Sequence, residues 1–117
     1  MMCERGGVAK TEWTVDDYTT ASGESPIRAF LSGLQGRDKV EAFALVQLLA
    51  ERGNTLRLPH SRSLGEGLCE LRGNQVRIFY VFRPQRRIVL LDGMLKKRDD
   101  IPAAVLKRIR KFQREVT

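Results

Sequence analysis

Two nearly uninterrupted apolar runs in the second half of the chain constrain its fold more than any other feature. Residues 78–82 and 88–91 are almost entirely aliphatic or aromatic, and Pro84-Gln85 between them has turn chemistry. Strands without polar alternation are usually covered on both faces of their sheet. The sequence therefore predicts a central hairpin with helices on one face and another covering element on the opposite face.

The segments around this hairpin predict a single α+β domain. In chain order they are a strand within residues 11–18, a helix starting at Ser25-Pro26, a helix at about 37–52, strands at about 68–72, 76–83 and 87–92, and a helix at about 101–115. The break at Gly36 favours an antiparallel helical hairpin. Residues 56–67, which contain Pro59, are predicted to be a connecting segment. The order is β-α-α-β-β-β-α, with a domain at 11–117 and a frayed tail at 1–10.

The second predicted helix is apolar on several sides. One stripe contains Val40, Phe43, Ala44 and Leu48, and it is widened by Leu45, Val46 and Leu49. We therefore expect neighbouring elements to cover most of this helix.

Positive charge is concentrated in the second half of the chain. Residues 1–60 carry 7 Lys and Arg against 8 Asp and Glu, whereas residues 61–117 carry 14 against 6. Such a field attracts polyanions, so nucleic acid is the leading predicted partner. An acidic protein would be attracted by the same field.

Several classes of protein do not fit the composition. No apolar run approaches the roughly 18 residues of a membrane span, and the first residues lack the apolar core of a secretory signal. Cys3 and Cys69 are too few for a disulfide framework and are not spaced as a metal site. We expect a cytoplasmic protein without a membrane partner.

The sequence has few of the residues that the common kinds of catalytic site require. His60 is the only histidine, which leaves little for a histidine metal cluster or a Ser-His-Asp triad. A lone loop histidine is more often a structural hydrogen-bonding residue. Gly65-Glu66-Gly67 lacks the spacing of a phosphate-binding loop. No metal and no cofactor are expected.

Cations converge on one face of the predicted hairpin. If Gly73-Asn74 closes a two-residue turn, Glu70 lies opposite Arg77, and side-chain alternation places Arg72 on the same face. The pattern favours phosphate binding for Arg72.

Two interpretations of Arg77 remain open. A two-residue turn at Pro84-Gln85 places Arg77 opposite Asp92, so that Glu70 and Asp92 neutralise a structural arginine. Alternatively, the two carboxylates orient Arg77 while Arg72 and Lys96 complete a phosphate-binding face.

Four motifs then carry a resemblance to a known family. In chain order they are SPIRAF at residues 25–30, LGEGLCELR at 64–72, VRIFY at 76–80 and GMLKK at 93–97. In this order they resemble the phage-derived HigB-like branch of the RelE/ParE bacterial toxins, over about residues 12–115. The resemblance implies a helical hairpin packed on a small, mainly antiparallel four-stranded sheet.

The resemblance also implies the toxin component of a type II toxin-antitoxin system. RelE and HigB toxins cut mRNA in the ribosomal A site, whereas ParE toxins of the same fold poison DNA gyrase. The HigB-like motifs favour a metal-independent endoribonuclease that inhibits translation and arrests growth. A gyrase inhibitor and a degenerate copy that only binds its antitoxin are the alternatives.

The family motifs assign roles to individual residues. Arg72 and Arg77 match strand arginines that bind the scissile phosphate, and Lys96 matches a basic position that stabilises charge or transfers a proton. Tyr80 also matches a family position. Side-chain alternation along the strand places it on the face of the sheet opposite to that of Arg77, which favours a role in the core. Further RNA contacts are expected from Arg62, Lys97 and Arg98.

The sequence departs from the family pattern at two aromatic positions. Met94 and Cys69 stand where aromatic residues are common. Loss of an aromatic weakens base stacking, which contributes about 1–3 kcal/mol per base. These changes put catalytic strength in question and leave the predicted fold unaffected.

The resemblance implies several partners. They are a HigA-like helix-turn-helix antitoxin, the ribosome with its mRNA, and operator DNA bound through the antitoxin of a hetero-oligomeric complex.

Overall fold

The chain folds into a mixed five-stranded sheet with helices on both faces. The computed structural model describes residues 13–97 and 100–116. The elements are β1 (Thr14–Asp17), α1 (Pro26–Ser32), α2 (Gly36–Arg52), a 3-10 turn (Gly53–Thr55), β2 (Ser61–Gly65), β3 (Leu68–Arg72), β4 (Val76–Arg83), β5 (Arg87–Leu95) and α3 (Ala103–Val116). The strand order is β1-β5-β4-β3-β2, with β1 parallel to β5 and the other neighbours antiparallel. The predicted tail at 1–10 and Arg98 lie outside the described residues.

The fold class is confirmed, but the sheet has one strand more than predicted. The additional strand is β2, in the second half of the predicted connecting segment 56–67. It is an edge strand that pairs only with β3 among the described strands, and it is mostly polar. A polar edge strand lacks the apolar run by which central strands are recognised.

Each face of the sheet has its own apolar core. On one face α1 and α2 pack over β3–β5, with Ile27, Leu49 and Ile78 fully buried. On the other face α3 packs through Ile109 against Phe79 and its neighbours. The helical hairpin therefore covers one face of the apolar strands and α3 covers the other, as the sequence predicts. Within the described residues, no helix is long and apolar enough to cross a membrane.

The expectation for the sides of α2 is wrong in part. Its buried positions are Ala42, Leu45 and Leu49, whereas Val40 and Phe43 are 71% and 53% exposed. The helix therefore turns one apolar stripe towards the sheet and leaves the other open to solvent. Periodicity alone does not decide which of two adjacent stripes is buried.

Both predicted hairpin registers differ from the observed ones, yet the facing of the side chains is retained. Arg72 pairs with Arg77 rather than with Gln75, a shift of two residues. Arg77 lies opposite Met94 rather than Asp92, because the β4–β5 loop is one residue longer than expected and a bulge adds another. Since side chains alternate with a period of two, a shift of two residues leaves each on its predicted face.

A close approach at Gly93 gives a stability prediction. A Cβ atom at Gly93 would lie 2.4 Å from Cδ2 of Phe30 and 3.0 Å from the carbonyl oxygen of Arg77. Gly93→Ala is expected to lower the free energy of unfolding by about 1–3 kcal/mol, because the ring must move out of a packed position. Urea denaturation measures this loss. Gly33→Ala is the matched control, since its Cβ would meet nothing closer than 3.6 Å; an equal loss in both variants would contradict the packing argument.

Candidate functional site

Three arginines from three adjacent strands surround one buried glutamate. Glu70 on β3 is 2% exposed, and its carboxylate lies 3.0 Å from Nη2 of Arg62 on β2. It also lies 3.6 Å from Nε of Arg72 on β3 and 3.7 Å from Nε of Arg77 on β4. We call these four residues the arginine cluster. Arg62 pairs with Glu70 and Arg72 with Arg77 across the sheet, so alternation places all four on the face that α3 also packs against.

The three arginines differ in access to solvent. The side chains of Arg62 and Arg72 are 41% and 30% exposed, whereas that of Arg77 is 8% exposed. Nη1 of Arg77 donates hydrogen bonds to the carbonyl oxygens of Gly73 (2.6 Å) and Val76 (3.0 Å). Arg77 is thus fixed beneath the turn, and the other two arginines present the accessible charge.

The cluster carries more positive than negative charge. Three guanidinium groups share one carboxylate, and the buried Nε atoms of Arg62 and Arg72 have no hydrogen-bond acceptor within the described residues. Burial lowers the pKa of Arg77; Glu70 raises it, and the nearby Arg72 lowers it again. An arginine nevertheless stays protonated in proteins. An anion placed against Arg62 and Arg72 would relieve the repulsion and accept hydrogen bonds.

The sequence analysis does not identify Glu41, a carboxylate on α2, as a site residue. It accepts hydrogen bonds from the backbone N–H groups of Asn74 (2.7 Å) and Gln75 (2.9 Å) in the β3–β4 turn and of Val76 (2.8 Å) at the start of β4. One signal was present in the sequence: Glu41 precedes Leu45 and Leu49 by four and eight residues, so it continues the buried stripe of α2. A charged residue on an apolar stripe indicates a specific partner.

The cations after β5 are placed differently from one another. The backbone N–H of Lys96 donates to the carbonyl oxygen of Gln75 at 2.6 Å, so Lys96 is attached to the same turn as Arg72 and Arg77. Lys97 is exposed and lines a separate depression with Met94 and Pro102. The predicted contact of Arg98 lies outside the described residues.

Asp92 does not act as a partner of Arg77. Its carboxylate binds Nη2 of Arg108 on α3 at 3.0 Å and accepts the backbone N–H of Gly93 at 2.7 Å. The strand pairing explains the difference, since Asp92 lies opposite Phe79. Of the two carboxylates expected to neutralise Arg77, only Glu70 therefore does so.

Tyr80 has the core environment that strand alternation predicts. It is 1% exposed and belongs to the core on the helical-hairpin face, opposite the arginine cluster. Its hydroxyl lies 2.6 Å from Oγ of Ser61. Burial raises the pKa of Tyr80 to about 12, so the hydroxyl stays neutral at physiological pH.

A groove opens at the end of β3, on the α2 side of the sheet, and it shares Arg72 with the arginine cluster. Its volume is about 430 Å³, and it lies between α2 and the start of β2. Ala44, Leu48 and Pro59 form its apolar wall, and His60 and Arg72 also line it. The carbonyl oxygen of His60 accepts the N–H of Arg72 at 2.8 Å, so the groove and the cluster are joined through the backbone. Residues 13–97 and 100–116 contain no group of three or more His, Cys, Asp or Glu side chains that could hold a metal ion.

Comparison with known proteins identifies the family. The sequence profile of the phage-derived Gp49-like proteins (DUF891) matches residues 29–114, most of the chain. The chain belongs to this Gp49-like family. The resemblance to a phage-derived family seen in the four motifs is thereby confirmed. A search of curated proteins found no significant match.

A solved structure supports the fold of this Gp49-like chain. It is the toxin-antitoxin complex RelBE2 from Mycobacterium tuberculosis, one chain of which superposes with a TM-score of 0.54 at 18% identity. The superposition covers 73% of this chain and 99% of the other. At this identity the likeness concerns the fold alone. The Gp49-like match spans all residues of the arginine cluster, and it also includes Glu41 and Lys96.

Proposed function

We propose that this Gp49-like protein is the toxin of a toxin-antitoxin pair and cleaves mRNA on the ribosome. The observation that carries the proposal is the arginine cluster, in which an excess of guanidinium charge lies on a strand face that is partly open to solvent. Membership of a family that resembles the HigB and RelE toxins supports it.

The proposed reaction is attack of a ribose 2′-hydroxyl on the adjacent phosphorus. The new bond is O2′–P, the bond broken is P–O5′, and the products are a 2′,3′-cyclic phosphate and a free 5′-hydroxyl. The 2′-hydroxyl loses a proton and the leaving 5′-oxygen gains one. Charge accumulates on the phosphorane oxygens between these events, and preorganised cations stabilise it.

The accessible cations have separate parts in this reaction. Arg72, and Arg62 beside it, bind the non-bridging oxygens of the scissile phosphate, since a guanidinium fork matches that geometry. Lys96 stabilises charge or gives a proton to the leaving oxygen. Arg77 is buried below Arg62 and Arg72, and it adds positive potential at the phosphate without contacting it. Glu70 holds the three guanidinium groups together against their mutual repulsion.

Neighbouring surfaces complete the proposed RNA site. Lys97 is exposed after β5. We expect it to contact the RNA backbone beyond the scissile phosphate, and Arg98 to extend this contact. The groove on the α2 side of Arg72 has room for an adjacent nucleoside that passes around the sheet edge, with Leu48 and Pro59 as an apolar wall.

The proposed biological setting is a cytoplasmic complex with an antitoxin. The structural neighbour RelBE2 is a toxin-antitoxin complex, and a HigA-like helix-turn-helix protein is the partner proposed here. The exposed apolar side chains of Val40 and Phe43 and the surplus of positive charge both suit an amphipathic or acidic protein segment. Operator DNA would be bound through the antitoxin.

Expression in bacteria followed by mapping of mRNA 5′ ends tests the proposal. We expect codon-phased cuts in translated messages and none after Arg72→Ala, at equal protein levels. Toxicity with intact mRNA and inhibited DNA supercoiling would overturn the proposal in favour of gyrase poisoning. An unaffected host with intact mRNA would overturn it in favour of a copy that only binds its antitoxin.

A further inference from the structure

Glu41 clamps the turn from which the candidate catalytic cations extend. Its two carboxylate oxygens accept hydrogen bonds from three consecutive backbone N–H groups. Asn74 donates to Oε2, and Gln75 and Val76 donate to Oε1, all with N···O distances of 2.9 Å or less. Glu41 lies on α2, more than thirty residues away in sequence. The β3–β4 turn is thus attached to α2 through N–H groups that would otherwise be exposed to solvent. We call this set of hydrogen bonds the clamp.

The clamped turn is connected to every cation in the proposed mechanism except Arg62. It joins Arg72 at the end of β3 to Arg77 at the start of β4. The carbonyl oxygen of Gly73 fixes the Arg77 guanidinium, and that of Gln75 accepts the backbone N–H of Lys96. A displacement of the turn would therefore move all three cations relative to a bound phosphate.

Local packing and charge both suit this arrangement. A Cβ atom at Gly73 would lie 2.6 Å from Cδ of Glu41, so the carboxylate reaches the turn because residue 73 has no side chain. Burial raises the pKa of Glu41, but the three N–H donors and the charge of Arg77 outweigh it, and the pKa is below the usual value. The clamp is therefore anionic at neutral pH.

We infer that Glu41 is a positioning residue for RNA cleavage, acting through the β3–β4 turn and without touching the substrate. This inference rests on the proposed function. A positioning residue alters the alignment of reacting groups more than it alters binding. Its loss should therefore appear in kcat and leave KM close to the wild-type value.

The test compares Glu41→Gln with Glu51→Gln. Both variants remove one carboxylate from α2, but Glu51 is exposed and bonded within the helix to Gln47, far from the turn contacts. In Glu41→Gln the side-chain NH₂ would face the N–H of Asn74, a contact between two donors. We expect hydrogen exchange at the amides of Asn74, Gln75 and Val76 to accelerate at least about tenfold, with the amides further along β4, from Ile78 onwards, unchanged.

Cleavage of mRNA on programmed ribosomes gives the functional result. We expect kcat to fall about 10-fold to 100-fold in Glu41→Gln, with KM changed less than about threefold. Glu51→Gln should match the wild type in both measurements. Gly73→Ala, which pushes against the carboxylate from the turn, should reproduce the loss in kcat.

The outcomes separate the clamp from the proposed function. Unchanged amide exchange in Glu41→Gln would overturn the clamp, and faster exchange with wild-type kcat would overturn its positioning role. A rise in KM at constant kcat would also overturn that role, since it indicates a binding contact. If the wild-type protein cleaves no mRNA, the proposed function and the positioning role are both wrong. The hydrogen-exchange measurement still tests the clamp in that case, because it does not depend on cleavage.

Discussion

Replacing Arg72 and Lys96 together with alanine is expected to slow mRNA cleavage by at least about a thousandfold. Removing one preorganised donor to a developing oxyanion typically costs about 10²–10³ in rate, and loss of a proton-transfer group costs a similar factor. The protein should remain folded, because Glu70 keeps Arg62 and Arg77 as partners. Single-turnover cleavage on programmed ribosomes measures the effect, and urea denaturation confirms the fold.

The control for this double variant removes the same charge elsewhere. Lys107 and Lys111 are exposed on α3, outside the arginine cluster. Lys107→Ala/Lys111→Ala weakens the overall positive field equally, so we expect at most about a tenfold slower association and an unchanged single-turnover rate at saturation. Equal losses in the two double variants would show that bulk charge, and not the cluster, governs cleavage.

Glu70→Gln is expected to lower the free energy of unfolding by about 2–4 kcal/mol. Removing one partner of a buried ion pair leaves the other charge without compensation, and such losses reach about 3–5 kcal/mol when both charges are buried. Here Arg77 is buried at 8% exposure, whereas Arg62 and Arg72 are partly solvated, which reduces the expected loss. Denaturation in urea gives the value, and cleavage should fall as the three guanidinium groups move apart.

Two further variants test the cause of this loss. Glu66→Gln removes a carboxylate that is 87% exposed and 3.8 Å from Arg110, so it should leave stability within about 0.5 kcal/mol of the wild type. Adding Arg77→Met to Glu70→Gln should recover part of the stability, because the buried charge itself is then gone. A double variant less stable than Glu70→Gln would contradict the uncompensated charge as the cause.

The sequence predicts the facing of the cluster better than its exact pairing. Glu70, Arg72 and Arg77 are predicted to lie on one face, and the structure agrees, although the register is shifted by two residues between β3 and β4 and, at Arg77, between β4 and β5. Alternation depends only on whether a shift is odd or even, so the two extra residues in the β3–β4 turn leave the facing of the cluster unchanged. Between β4 and β5, one extra loop residue and one bulge residue together have the same effect at Arg77. The opposing partner of each residue depends on the full shift, and for this reason the predicted pairing of Arg77 with Asp92 is wrong.

The features that the sequence did not predict depend on contacts between distant segments. β2 is a polar edge strand, and its pairing with β3 supplies Arg62 to the cluster. Glu41 meets its turn only when α2 lies across the sheet, a relation that no local pattern encodes. Whether Val40 or Ala42 faces the sheet is likewise decided by the packing of the helical hairpin.

The sheet topology has a consequence for the order of folding. Arg62 and Arg77 are fifteen residues apart, and β2, β3 and β4 are joined by consecutive hairpins. β1, by contrast, reaches its parallel neighbour β5 only across about seventy residues of intervening chain. Closing a long loop costs more conformational entropy than closing a short one, and distant pairings slow folding. The arginine cluster therefore belongs to the part of the sheet that loop-closure entropy favours to form first, before β1 pairs with β5.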